Sequence, residues 1–333
     1  MTYKTPKRRL LLGLVLAAAT SVAVPLSAQA KTPEIVAVVK LTGIPWFNRF
    51  QVGVEAAGKD LGVHATQAGP AQPDPAQQVK IIEDQIARKV DAIVVVPDDA
   101  NVLQPVLERA RPAGIVVVTQ ESPGQKGADW DVETIDNKAF AEQIFKSFAE
   151  HAGGKGEFAL YVGSLTVPLH NAWADIGLAY FKEHYPDLKP VADRFPVGES
   201  VDDSFRTAQE LLQTHPDLKG LIGFGSQGPI GFAQALQRNG VKSGKVTVVG
   251  TVLPAQAEPF LKKGLITEGF LWDPKDAGYA TVAIAKRVID KQAVESGLEL
   301  PGLGKADVDA ATHTVRFNAI KTFSAENAAA FGF

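Results

Sequence analysis

Ala92-Ile93-Val94-Val95-Val96 is an apolar run without polar alternation. A strand of that kind is buried on both faces, which calls for a parallel sheet with helices on each side. The same signature recurs along the chain, separated by apolar residues at helical spacing. Ile35–Val39 reads as a strand, Phe50, Val54, Ala57 and Leu61 as a helix, and Val63–Thr66 as a strand. Val79, Ile82, Ile86 and Val90 mark a helix, Ala92–Val96 a strand, Leu103, Val106, Leu107 and Ala110 a helix, and Ile115–Thr119 a strand. Residues 35–119 therefore form a doubly wound α/β unit.

A second unit follows the same rule. Ala141, Ile144, Phe145 and Phe148 form a helical stripe, and Phe158–Val162 a strand. Trp173, Ile176 and Tyr180 are helical, Val191–Phe195 a strand, Phe205, Ala208 and Leu212 a helix, and Leu221–Phe224 a strand. A helix near Ile230–Gln237, a strand at Val246–Gly250, a helix near Ala255–Lys263, a strand at Phe270–Trp272 and a helix through Val282, Ala285 and Ile289 complete it. Ser296–Lys305 reads as loop and Thr314–Phe317 as a last strand.

Composition removes several classes of function. The 333 residues hold 34 basic and 37 acidic side chains, a net charge of −3, so no basic excess exists to neutralise a phosphate backbone, and no nucleic-acid partner is expected. There are no cysteines, which excludes disulfides, thiolate metal sites and cysteine nucleophiles. The beginning of the chain reads as an address. Lys4, Lys7, Arg8 and Arg9 precede the short apolar run Leu10–Ala19, and Ala28-Gln29-Ala30 fits signal peptidase. Residues 1–30 are expected to be removed, leaving Lys31 as the new N-terminus and no cysteine there for a lipid. The periplasm is the expected location.

Motifs of catalysis are scarce. The histidines never form H-E-x-x-H, and neither a G-x-S-x-G elbow nor a P-loop occurs. Gly223, Gly225 and Gly228 spell G-x-G-x-x-G between a strand and a helix, the context of a dinucleotide site. The next strand, however, ends in Gly250-Thr251-Val252 without the acid that would hold a ribose. A tight turn where something approaches the backbone is the simpler reading. No cofactor or metal is expected.

Ligands of open α/β sheets bind beyond the carboxyl ends of the strands. Those ends carry Lys40, the pair Trp46-Phe47, Asp98-Asp99 and Gln120-Glu121 in the first unit. In the second they carry Leu169-His170-Asn171, Ser226-Gln227, Val252-Leu253 and Trp272-Asp273. Aromatic faces beside hydrogen-bonding groups suit sugars, whose C–H faces stack while their hydroxyls need directed donors and acceptors. The candidate ligand residues are Lys40, Trp46, Phe47, Glu121, His170, Asn171, Ser226, Gln227 and Asp273. Each has a plain structural role as its competitor: Lys40 as a solvated strand end, Trp46 and Phe47 as core, His170 and Asn171 as an N-terminal helix cap, Asp273 as a helix cap, Ser226 and Gln227 as turn residues, and Glu121 as the cap of the turn at Ser122-Pro123-Gly124. Asp98-Asp99 read as a helix start, and Trp173 as core.

Val39-Lys40-Leu41-Thr42-Gly43, Glu55-Ala56-Ala57-Gly58-Lys59-Asp60-Leu61-Gly62-Val63 and Val90-Asp91-Ala92-Ile93-Val94-Val95 resemble the first lobe of type I periplasmic sugar-binding proteins. Leu271-Trp272-Asp273-Pro274-Lys275-Asp276-Ala277-Gly278-Tyr279 is most similar to the branch of autoinducer-2-binding and rhamnose-binding proteins. The resemblance implies two lobes joined by a three-strand hinge, with crossings near Asp136-Asn137, Trp272 and Thr314. The first lobe would then be residues 31–136 plus 273–313, and the second 137–272 plus 314–333. It also implies that Lys40 holds ligand and that Glu121 replaces the aspartate usual in that branch. The Asp-Gln or Asn-Gln pair of the second lobe falls on Leu169-His170, and Pro-x-Ala on Phe224-Gly225-Ser226. These departures point to a pentose, deoxysugar or small polyol.

The expected function is a monomeric periplasmic protein that delivers a small sugar or polyol to an ABC importer permease, closing two lobes on it without chemistry. The alternative is an exported α/β enzyme using the Gly223–Gly228 turn for a phosphate-bearing ligand. A sugar-sensing repressor of the same fold would need a DNA-binding helix-turn-helix where the export segment stands.

Overall fold

Strand formation follows the apolar runs. In the computed structural model, which describes residues 1–4 and 31–333, all four residues of Ala92–Val95 are buried. Met1–Lys4 apart, the proposed export segment lies outside the described residues. Among the described residues no helix is long and apolar enough to cross a membrane.

The first lobe runs β1 (Glu34–Val38), α1 (Pro45–Leu61), β2 (His64–Ala68), α2 (Pro75–Arg88), β3 (Ala92–Val95), α3 (Ala100–Ala110), β4 (Val116–Gln120) and β5 (Trp130–Glu133). The second runs α4 (Asn137–Ala152), β6 (Gly156–Tyr161), α5 (Pro168–His184), β7 (Leu188–Pro190), α6 (Val201–Thr214), β8 (Gly220–Gly223), α7 (Gly228–Arg238), β9 (Thr247–Thr251), α8 (Pro254–Leu261) and β10 (Glu268–Leu271). The chain then forms α9 (Pro274–Ile289), the hairpin β11 (Glu299–Leu300) and β12 (Gly304–Lys305), β13 (Asp307–Asp309), β14 (Thr314–Arg316) and β15 (Lys321–Phe323).

The sheets are ordered β13-β14-β5-β4-β3-β1-β2 and β15-β10-β9-β8-β6-β7. Pairing is parallel throughout, except where β13 meets β14 and β15 meets β10. Parallel order aims the strands of each lobe the same way, β13 and β15 apart, so their carboxyl ends gather along one edge. Helix starts are fixed by the sequence: Asp74, Asp99, Asp136 and Asp273 cap α2, α3, α4 and α9 with their carboxylates.

Several elements differ from the sequence reading, among them the hairpin β11–β12, which forms inside the expected loop Ser296–Lys305. Thr314–Arg316, expected beyond the third crossing, pairs with β5 in the first sheet, and the chain reaches the second sheet only at Lys321. The expected strand Val191–Phe195 is instead the short β7 followed by a single bridge from Tyr161 to Phe195. β5 went unread because Asp131 and Glu133 alternate with Val132, although both acids are buried.

Candidate functional site

The strand ends of both lobes converge on one small cavity with about 10 Å3 of free room. Lys40, Trp46 and Glu121 come from the first lobe. His170, Trp173, Glu199, Ser226 and Thr251 come from the second, and Trp272 from the crossing between β10 and α9. Gly225 completes the wall.

Each first-lobe residue has a local reason for its aim. Lys40 lies two residues beyond β1, after Val39. Gln78, fully buried on α2, donates to the carbonyls of Val38 and Val96 and accepts from the Asp98 amide, tying the ends of β1 and β3 together. Trp46 lies in the first turn of α1 after Pro45, while its neighbour Phe47 turns into the core. Glu121 is the residue after β4 and has φ +62°, a left-handed backbone rare outside glycine. That turn is held by the Ser122 amide, which donates to Asp131 Oδ1 at 3.2 Å.

In the second lobe His170 occupies the first turn of α5. Its Nδ1 accepts from the Gly163 amide at 3.0 Å, which leaves the proton of the neutral ring on Nε2, facing the cavity. Glu199 is presented by the loop before α6. A Cβ on Gly198 would come within 2.2 Å of the Phe224 carbonyl oxygen, so only glycine allows this approach. The amides of Gln227 and Gly228 both donate to the Gly198 carbonyl. The G-x-G-x-x-G turn therefore spends its amides on the loop that carries Glu199 rather than on a phosphate, and the dinucleotide-type reading is corrected.

The electrostatic centre is Lys40. Its Nζ lies 3.1 Å from Glu199 Oε1 and 3.6 Å from Glu121 Oε2, so one ammonium joins carboxylates of both lobes, while His170 Nε2–H, a donor like the ammonium, stands 3.4 Å away without bonding to it. Burial works against that charge, but Glu199 and Glu121 outweigh it and hold the Lys40 pKa above its ordinary value. Burial raises the Glu121 pKa, with Lys40 opposing. Burial, then the Lys40 charge, depress His170 well below its usual value, in keeping with a neutral ring. A further contact across the cleft runs from Thr166 Oγ1 to the Asp98 carbonyl at 3.1 Å.

Three of the chain's four tryptophans wall the cavity. Trp272 meets Trp46 edge-on at 5.1 Å and Trp173 at 5.8 Å, and His170 stacks on Trp173 at 5.6 Å. Two buried polar atoms of this wall, Thr251 Oγ1 and Trp272 Nε1, have no hydrogen-bond partner. Leaving such groups unpaired is costly, so both stand open to a polar partner.

Of the residues singled out from sequence, Lys40, Trp46, Glu121, His170 and Ser226 meet at this cavity, and Phe47, Asn171, Gln227 and Asp273 do not line it. Asn171 donates to the carbonyls of Ser164 and Val167 and accepts from Arg194. Gln227 donates to Ser226 Oγ. Asp273 takes Arg49 in a two-pronged ion pair and caps α9. Trp173, read as core, and Glu199, Thr251 and Trp272 were missing from the candidates. The strand-end rule applied after Phe195 reaches Glu199 within four positions, so the signal existed.

Two α/β lobes whose strand ends enclose a polar and aromatic cavity define a two-lobe solute-binding protein. The chain belongs to the periplasmic binding protein domain family, which matches residues 35–293. It is 28% identical over 286 residues to the D-ribose/D-allose-binding protein of Pseudomonas aeruginosa, covering 79% of this chain and 85% of that one. Its fold is similar to that of LsrB from Clostridium saccharobutylicum in complex with AI-2, with TM-score 0.83 and 23% identity over 90% of this chain and all of that one. An ABC transporter solute-binding protein from Clostridium phytofermentas with bound L-rhamnose is equally similar in fold, with TM-score 0.83, 21% identity and coverage of 90% and 98%. Members of this family bind solutes and are not enzymes, so the alternative of an exported enzyme is set aside.

Proposed function

We propose that this chain, exported by cleavage after Ala30, binds a small uncharged sugar or polyol in the periplasm and passes it to an ABC importer permease. The single observation that carries this reading is Lys40, held between Glu121 of its own lobe and Glu199 of the other. Separating the lobes breaks the pair with Glu199. A ligand whose hydroxyls bridge the same groups favours closure, because it gains its full set of bonds only when both lobes touch it. The paired acids and ammonium supply charged acceptors and a charged donor, each such bond worth about 1.5–3 kcal/mol. His170 Nε2–H and the Ser226 hydroxyl add neutral partners, and Trp46 offers a stacking face. The relative that binds D-ribose and D-allose and the fold neighbours holding AI-2 and L-rhamnose support a small hydroxylated ligand.

A thermal-shift panel of D-ribose, D-allose, L-rhamnose and linear four- and five-carbon polyols tests this. A ligand at a hundred times its Kd adds about 2.7 kcal/mol to stability. No shift with any member of the panel would contradict the proposal.

A further inference from the structure

Behind the Glu121 turn lies a second pair of acids that the ligand does not reach. Asp131 and Glu133 alternate on β5, so both side chains leave the same face of the sheet. Both are buried. Asp131 Oδ1 accepts from Thr119 Oγ1 at 2.7 Å and from the Ser122 amide at 3.2 Å. Glu133 Oε2 accepts from Asn137 Nδ2 at 2.8 Å. The remaining oxygens, Asp131 Oδ2 and Glu133 Oε1, have no other partner. Two buried acids with one free oxygen each are mutually satisfied by a single proton held between them.

This pair touches the binding site from both sides. Through Ser122 it holds the left-handed turn that aims Glu121. Through Asn137, whose Oδ1 accepts from Trp173 Nε1 at 2.9 Å, it holds a tryptophan of the cavity wall in the second lobe. It also sits at the crossings: the Glu133 carbonyl accepts from the Phe317 amide at 2.7 Å and the Thr134 carbonyl from the Ala319 amide at 3.0 Å. We propose that Asp131 and Glu133 are positioning residues of the binding site, sharing one proton whose loss unseats both the Glu121 turn and Trp173. The inference rests on the cavity being the ligand site, and goes beyond it by assigning the acids that hold its shape.

Burial first, then the Asp131 charge, raises the Glu133 pKa well above the usual carboxylate range, and burial pushes Asp131 up to about 6. As a coupled pair the two release their protons in separate steps. Glu121 is the charge that faces both from the end of β4. Around the groove that Glu133 borders, Arg316 on β14 is paired with Asp307 of β13, Asp136 caps α4, Lys138 pairs with Glu142, and Asp309 caps the turn at Ala311. The buried residues of α9 carry no titratable group. The proton between the acids is therefore the local titration to follow.

Tryptophan fluorescence of the unliganded protein, titrated from neutral to about pH 10, reads this without any sugar. The wild type is expected to show an alkaline transition as the shared proton leaves. Glu133→Gln, whose amide donates permanently, should remove it. Asn137→Ala should leave Trp173 unable to report it. Asp131→Asn, which takes away the neighbouring negative charge, should move the transition to lower pH and serves as the second variant if Glu133→Gln does not fold. A flat wild-type profile, or the same transition in Glu133→Gln and Asp131→Asn, would overturn the inference and leave the proposed sugar site untouched. Conversely, a failed sugar panel would not alter this titration.

Discussion

The two lobes build their halves of the cavity in different ways. The first-lobe residues Lys40 and Glu121 stand almost at the tips of β1 and β4, carried by regular strands and locked by Gln78 and Asp131. The second-lobe residues His170 and Glu199 sit on a helix start and a loop, fixed by backbone contacts at Gly163 and Gly198. The first half is a property of strand geometry, and the second a property of glycine-dependent packing. The first half should therefore respond mainly to loss of charge, and the second to loss of fit.

Lys40→Ala breaks the comparison hardest, because it strands Glu121 and Glu199 as buried carboxylates. Removing one partner of a buried charge pair costs about 3–5 kcal/mol, so both binding and folding stability should fall, measured by titration calorimetry and thermal unfolding. Gly198→Ala tests the second half alone. Its added Cβ must displace the Phe224 backbone or the loop, so affinity should drop about tenfold or more, at about 1.4 kcal/mol per decade, with the first-lobe residues unchanged. Stability retained with sugar affinity intact would show that the loop's position is immaterial.

His170 gives the next effect. Its pKa in the folded protein is depressed by burial and by Lys40, so the unfolded chain binds the proton more readily. The stability it contributes is present above the unfolded value of about 6.5 and is lost as pH falls from there toward its folded value. His170→Gln should flatten that acid limb in a melting-temperature series across pH. The smallest effect on binding is expected at Asp273. Asp273→Ala loses both the pair with Arg49 and the helix cap, which costs stability by about 1 kcal/mol and leaves sugar affinity unchanged.

The same contrast explains what was legible in the sequence. Unbroken apolar runs announced the parallel strands, and the strand-end rule then reached Lys40 and Glu121. His170 was reached by the same rule, although its tautomer depends on Gly163, which only the folded loop brings near. Glu199 went unnamed although the expected strand ended four positions before it, because its placement depends on Gly198 meeting Phe224, which only the folded chain brings together. Thr251 lies one residue before the expected tip at Val252, which is buried core. Asp131 and Glu133 are hidden for a different reason: acids at alternate positions read as a solvated edge, and nothing in their spacing reveals a shared proton. Asp273 misled because a helix cap and a ligand acid have the same local signature before a proline.

The central claim is that ligand is held jointly by the two lobes through the Lys40 cluster. Titration calorimetry of Glu199→Gln, against the sugar giving the largest thermal shift, tests it most directly, since Glu199 is the second-lobe acid nearest to Lys40. The account predicts one saturable site in the wild type and affinity about ten- to a hundredfold weaker in the variant, corresponding to about 1.5–3 kcal/mol for a charged hydrogen bond. Wild-type affinity in Glu199→Gln would contradict it, because the second lobe would then hold the sugar without the contact that joins the halves.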